Sequence, residues 1–435
     1  MLLASGFAGA VIVQRPEWGI AAVLALVPLT NMAVGDVKPL HVVLPALSGA
    51  VLLHTLLVAR DSTAKPASSW LLMTVALFCG AAVISSMFAL DPGDSVNPLV
   101  IVLTAVAVFF SVLQIGDASR RLEVVMVGLL LALLTATVHG IAQQVLDAYG
   151  PSGGVLIDGE VVSRVQGAFG HPNQYANFLA VLMPLAGAVA LTRSAPPRLR
   201  FLGAGAFLLA VQPLIFSYTR GAIVALVIGS LLWLAIVRPR TAILVAAVVA
   251  VVGFSLAPQA LRERLQPEGA AGDIGLRTDI WQSALDIYAQ SPITGVGLGN
   301  FSVAYERLPA VVADGAQRRL LHQSELLVPP HANNLALTVL AEQGLVGLVP
   351  LAALFVAGVL VARRLTRTGD SLSRATGIGL GAALLVMAAH STLEASLFGE
   401  VALPIFAMLA LGAAYLALSP ERTARRTRGP SAGHE

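Results

Sequence analysis

The stretch VPPHANNLALTVLAEQGLVGL, residues 328–348, sets an imidazole, two amides and a carboxylate at the mouth of an apolar run. His331 suits general base work at neutral pH, because an unperturbed imidazole titrates at about 6.5. Asn333 and Asn334 can orient hydroxyl groups, and Glu342 is a second candidate base. Three arginines supply another chemistry. Arg164, Arg220 and Arg277 carry planar guanidinium forks that match the oxygens of a phosphate or diphosphate. Arg220, in IFSYTRGAIVAL, lies in a very short joint between apolar runs. A charge at membrane level costs several kcal/mol unless it is paired or functional. Each residue also has a plainer reading. Arg220 could snorkel, Arg277 could be solvated, His171 and Asn173 could cap a helix, and His331 could be structural. His390 and Glu394, four residues apart, would pair within one helix and hold helices together.

The elements that must position these groups are membrane helices. The chain of 435 residues is 57% apolar and only 12% charged, about half the charge of a soluble domain. Apolar runs fall near 2–14, 18–35, 39–59, 70–90, 97–115, 122–147, 172–192, 199–217, 221–237, 241–258, 345–362, 375–396 and 398–418. Roughly 20 helical residues cross the hydrocarbon, so the expected fold is all-α and polytopic, with about 12–13 transmembrane helices. The first run resembles a signal peptide but lacks a basic start, and is read as a membrane segment. With a formal charge of +3, nothing points to nucleic acid, and the single Cys79 excludes an intrachain disulfide.

The joints alternate in charge. Arginines collect at 15, 60, 120–121, 193–200, 238–240, 363–367 and in the tail, which places those joints in the cytoplasm. The long joints at 148–171 and 259–344 then face outward. Residues 1–418 read as one membrane domain, with 259–344 as an outward-facing loop carrying short helices and 419–435 as a basic cytoplasmic tail, disordered by composition. Within the loop, LRTDIWQSALDIYAQSP has helical spacing, with Arg277, Trp281, Leu285 and Tyr288 close to one face and Pro292 as the stop. Residues 331–362 as one helix would run about 48 Å, too long for the bilayer. Residues 333–343 are therefore read as an interfacial helix ended by Gly344, with His331, Asn334, Thr338 and Glu342 as a polar stripe on the outer membrane face. GVGLGNF lacks both GxxxxGK[ST] and GxGxxG spacing and is read as a turn. No metal-ligand spacing and no cofactor motif appears.

In these stretches the chain resembles the O-antigen ligase/polymerase superfamily of integral membrane glycan transferases. The resemblance spans roughly residues 160–400. It rests on RVQGAFGHPNQYANFLAVLMPL, SYTRGAIVAL, LRTDIWQSALDIYAQSPITGVGLGNF and HANNLALTVLAEQGLVGL, in that order. It implies about a dozen membrane helices, a catalytic outer loop, and an undecaprenyl-diphosphate-linked glycan as donor. The family's outer-face arginines, thought to hold the lipid diphosphate, match Arg220 and Arg277. Ligases of lipopolysaccharide typically carry His-Asn, nine residues, then Gly-x-x-Gly. Here Asn333-Asn334 stand on the His-Asn pair and His331 comes two residues early, while Thr219 stands where a serine usually precedes the arginine.

The expected activity is metal-independent glycosyl transfer at the outer face of a bacterial cytoplasmic (inner) membrane. The diphosphate would sit between Arg220 and Arg277, with Arg164 nearby and His331 as base. Glu342 is the alternative base, and Asn333 or Asn334 would orient the acceptor, a growing glycan or a lipid A-core sugar. The rival class is a transporter or lipid-linked glycan flippase. Such proteins usually show broken helix pairs or inverted repeats, and neither is visible.

Overall fold

The structure is a computed structural model that describes residues 15–33, 38–58, 69–116, 118–149, 154–157, 160–256, 268–308 and 328–418. The first apolar run, the basic tail and the arginines at 262, 264, 318 and 319 lie outside the described residues. Fourteen α-helices follow in chain order: α1 Pro16–Leu26, α2 Leu40–Val58, α3 Ser69–Met87, α4 Pro92–Gln114, α5 Ser119–Val145, α6 Pro172–Leu191, α7 Pro197–Phe216, α8 Arg220–Val237, α9 Pro239–Leu256, α10 Glu268–Gln290, α11 Phe301–Glu306, α12 Leu335–Leu365, α13 Ser371–His390 and α14 Ala402–Leu418. Among the described residues, nine helices (α2–α8, α12 and α13) are long and apolar enough to span a membrane, and Pro16–Leu29 and α14 are shorter apolar helices. The protein is all-α and polytopic. Among the described residues the one departure is a small antiparallel hairpin in the 148–171 joint, β1 Gly154–Ile157 with β2 Glu160–Ser163.

Helix starts follow local chemistry. Proline occupies the first turn of α1, α4, α6 and α7, where its missing N–H costs nothing. Helix α4 begins at Pro92, ahead of the expected 97, because the Asp91 side chain accepts the Gly93 N–H at 2.7 Å. At the start of α6, the cap is the His171 imidazole, whose Nδ1 accepts the Asn173 N–H at 3.1 Å.

Element order alone separates two ends of the bundle. Arg193, Arg198, Arg238, Arg240, Arg363 and Arg364 fall at one end. Joints 164–171, 217–219, 328–334 and 391–401 fall at the other. Helix α13 is rich in Gly, Ala and Ser, which lets it pack closely against α6 and α8. The long joint carries a core of its own, built from Ile280, Ala284, Ile287, Val296, Phe301 and Ala341. The face of α10 that packs is thus 280–284–287. Leu285, expected on one face with Arg277, Trp281 and Tyr288, is 42% exposed.

Helix α12 breaks at Gly344 (φ 61°, ψ −155°), where the span length required a break. The loop fills that break. Leu345 and Val346 N–H groups, orphaned by the kink, donate to the carbonyls of Pro292 and Ile293 at 3.0 and 3.1 Å. Gly295 (φ +69°) approaches so closely that a Cβ there would lie 2.2 Å from the Glu342 carbonyl carbon. Only glycine fits both the conformation and the gap.

Candidate active site

The glycine turn is held by Glu342. Its Oε2 accepts the Gly299 N–H at 2.9 Å and its Oε1 the Phe301 N–H at 3.2 Å. Its main-chain carbonyl accepts from the Ser85 hydroxyl at 2.7 Å and the Gly297 N–H at 2.9 Å. The expected polar stripe on the membrane surface is therefore corrected. Thr338 and Glu342 are buried against the loop, and the Thr338 hydroxyl accepts the Ala332 N–H at 3.1 Å. The α10–α11 loop supplies the amides that a buried carboxylate requires.

The centre of the site is the joint Ser391–Ala395, STLEA, after α13. The Ser391 carbonyl accepts the Leu335 N–H at 2.8 Å, and the Thr392 carbonyl accepts from Asn334 Nδ2 at 3.4 Å. The Leu393 carbonyl accepts from Arg277 Nη1 at 2.6 Å. Glu394 Oε1 faces His331 Nε2 at 2.9 Å, and its Oε2 accepts from Asn173 Nδ2 at 3.1 Å. The expected pairing of Glu394 with His390 remains one of charge alone, since the side-chain hydrogen bonds of Glu394 go to His331 and Asn173. Past the end of α13 the backbone leaves the helical path, so four-residue spacing no longer aligns the two side chains.

His331 is fixed at both ring nitrogens. Its Nδ1 accepts the Asn333 N–H at 3.1 Å, so the ring proton sits on Nε2 and points at Glu394. Asn333 adopts φ +50°, a left-handed conformation that asparagine tolerates better than most residues. Asn334 caps α12, accepting the Leu337 N–H at 3.1 Å. Burial alone would push the Glu394 carboxyl up, yet the hydrogen bonds from His331 and Asn173 hold it down at about 2. Burial pushes the neighbouring His171 imidazole below its ordinary value, against the pull of Glu394.

The arginines converge on the same place by different routes. Arg164 donates from Nη2 to Asn173 Oδ1 and Thr219 Oγ1, each at 2.9 Å, and from Nε to the Ser217 carbonyl at 2.8 Å. It is therefore one bonded neighbour away from Glu394. Arg220 opens α8 directly after Thr219. The next residue, Gly221, packs its backbone near Leu393 and His390, so Arg220 and Arg277 approach one joint from α8 and α10. Beside His331 lies a cavity of about 160 Å³ whose wall includes Thr338, Glu342, Gln174, Phe398 and Glu400.

The structure thus brings together His331, Asn333, Asn334, Arg164 and Arg277, with the backbone of Arg220 alongside, while Glu342 lies across the cavity with both oxygens engaged. Sequence reasoning did not foresee Glu394 as the partner of His331, nor Asn173 as the link to Arg164. The only signal is an acidic residue in STLEA, whose four-residue spacing from His390 ties it to its own helix in the sequence.

By architecture this is a polytopic helical membrane protein with a polar site at the bundle end opposite its arginine-rich joints. Residues 205–352 match the family model described as O-antigen ligase, which bears out the resemblance to the O-antigen ligase/polymerase superfamily. The match supports a membrane glycan ligase or polymerase that uses lipid-linked glycan donors and glycan acceptors. No curated protein matches the chain.

Proposed function

We propose that the protein transfers a glycan from a polyprenyl diphosphate, undecaprenyl diphosphate in bacteria, to an acceptor sugar hydroxyl at the outer face of the cytoplasmic membrane. The acceptor is a growing polysaccharide or a lipid A-core sugar. The observation that carries the reading is the His331–Glu394 contact at 2.9 Å, set in a cavity wall and linked through Asn173 to Arg164.

The donor is already activated, because its leaving group is a diphosphate. Arg220 and Arg277, with Arg164, stabilise the charge that develops on it as the glycosidic bond breaks. The acceptor hydroxyl must then lose its proton. Glu394 accepts a hydrogen bond from the Nε2–H of His331, which makes Nδ1 the basic nitrogen, by the same logic that orients the imidazole of a catalytic triad. In the resting protein Nδ1 accepts the Asn333 N–H. An arriving hydroxyl displaces that turn bond, a net loss of about 1 kcal/mol. Its proton passes to Nδ1, its oxygen attacks the anomeric carbon, and the diphosphate leaves with the bonding pair. The ionised Glu394 stabilises the imidazolium. Asn334 orients the approach, and Glu342 holds the loop that carries Arg277. The chemistry calls for no metal.

The direct test is turnover by purified protein of a defined lipid-diphosphate glycan with a glycan acceptor. New glycosidic bond and free lipid diphosphate are expected together. A polymer ladder identifies a polymerase and a singly capped acceptor a ligase. Movement of the donor across the bilayer without a new bond would overturn the reading in favour of a flippase.

A further inference from the structure

A second polar group adjoins the site and takes no part in the mechanism above. Asn31 Nδ2 donates to Glu400 Oε1 across the start of the bundle, and Asn31 Oδ1 accepts from His41 Nε2 at 3.2 Å and from Lys38 Nζ at 3.4 Å. Asn31, His41 and Glu400 line a cavity of about 250 Å³ between the starts of α2, α4 and α6 and the joint before α14. That cavity shares Gln174, Phe398, Gly399 and Glu400 with the one beside His331, so the two adjoin across these four residues. Together they reach the lower part of the roughly 300–1,000 Å³ range of small-ligand clefts.

The two sides of His331 differ in chemistry. On one side lie the guanidinium of Arg164, reached through Glu394 and Asn173, and that of Arg277 at Leu393. On the other side the lining presents a carboxylate, carboxamides and an imidazole, with the flat Phe398 ring in the wall, and the Lys38 ammonium reaches Asn31 from outside the lining. A carboxylate repels a diphosphate. It accepts sugar hydroxyls well, amides give paired donors and acceptors, and an aromatic face suits the apolar face of a pyranose.

We propose that the Asn31–His41–Glu400 cleft, entered past Gln174 and Phe398, binds the terminal sugar of the acceptor and delivers its hydroxyl to His331. This rests on the transferase reading above. Glu400 and Asn31 then set acceptor affinity and sugar preference, whereas the arginine side sets donor affinity. Loss of a hydrogen bond to a charged group costs about tenfold or more in affinity.

The experiment uses the full chain in nanodiscs, with Glu400→Gln, which keeps shape, and Asn31→Ala as an independent change. In turnover with a lipid-diphosphate glycan, each variant should raise the KM for acceptor about tenfold or more and leave the KM for donor unaltered. Saturation-transfer NMR with methyl glucoside, methyl galactoside and methyl N-acetylglucosaminide checks binding without turnover. At least one should give a signal with the parent chain, the signal should vanish in both variants, and inorganic diphosphate should not compete. Unchanged acceptor KM, a raised donor KM, a hexoside signal that survives both substitutions, or competition by diphosphate would each overturn the assignment. If the parent chain forms no glycosidic bond at all, the transferase reading fails. If it does and the acceptor KM stays put, only the cleft assignment fails.

Discussion

His331 and Glu394 illustrate how little room a buried carboxylate leaves for ambiguity. Each Glu394 oxygen has a side-chain donor, with the Ala395 N–H as a second donor to Oε1 at 3.2 Å, and removing either side chain takes a partner from an ionised group. Glu394→Gln should lower kcat by about 10²–10⁴, the usual contribution of acid–base catalysis, and His331→Ala by a similar factor. The double variant should be little worse than either alone, because the two act as a unit. Multiplicative losses would show that they act separately. The same carboxylate predicts an acid limit. Its folded-state pKa of about 2 lies below the ordinary 4.5, so its contribution to stability is complete above 4.5 and is lost as the pH falls from there towards 2. Thermal unfolding followed across that window should show the decline in the parent chain, and Glu394→Gln should remove this part of it. For the arginines, Arg220→Ala and Arg277→Ala should each abolish transfer in protein that still purifies folded. Lysine should rescue poorly, because a point charge cannot reproduce the bidentate fork. Full activity in Arg220→Ala would mean that this side chain only snorkels.

At the scale of elements, the decisive feature is the loop that plugs the α12 kink. Gly344→Ala places a side chain in a left-handed backbone, with its Cβ 2.4 Å from the Ile293 carbonyl oxygen. Strained residues cost about 1–3 kcal/mol each before any clash is counted. The substitution should therefore lower unfolding temperature and detach the turn, read as faster proteolysis within residues 291–308; unchanged stability and cleavage would contradict the plugged-kink account. This break was legible in advance, since a straight helix from 331 would outrun the bilayer. The membrane helices were legible too, because every span must be apolar and satisfy its own backbone. What could not be read was tertiary. Nothing in the spacing of STLEA tells that Glu394 turns from His390 towards His331, 63 positions earlier by sequence number. Nor does amphipathic spacing in α10 tell that its packed face is Ile280–Ala284–Ile287, since that depends on where the loop's own core lies. Glu342 looked like a candidate base because its environment is invisible in sequence; the amides of Gly299 and Phe301 come from a turn more than 40 residues away.

For the whole molecule, the proposed orientation follows from the arginine-rich joints. Cysteines introduced at exposed loop positions such as Gln290 should react with a membrane-impermeant reagent from outside, and those beside Arg240 or Arg364 should not. Reversed labelling would put every proposed site residue in the wrong compartment. Chelation by EDTA should leave transfer intact, and strong inhibition would point to a metal that the mechanism does not use. The central claim is that a new glycosidic bond forms at His331, and it is tested most directly by one comparison. The parent chain and His331→Ala, in matched proteoliposomes with labelled lipid-diphosphate glycan and a glycan acceptor, are compared for labelled acceptor formed per unit of bound donor. The account predicts steady product from the parent chain, and donor binding retained with transfer at least about 100-fold slower in the variant. Equal product from both would contradict it.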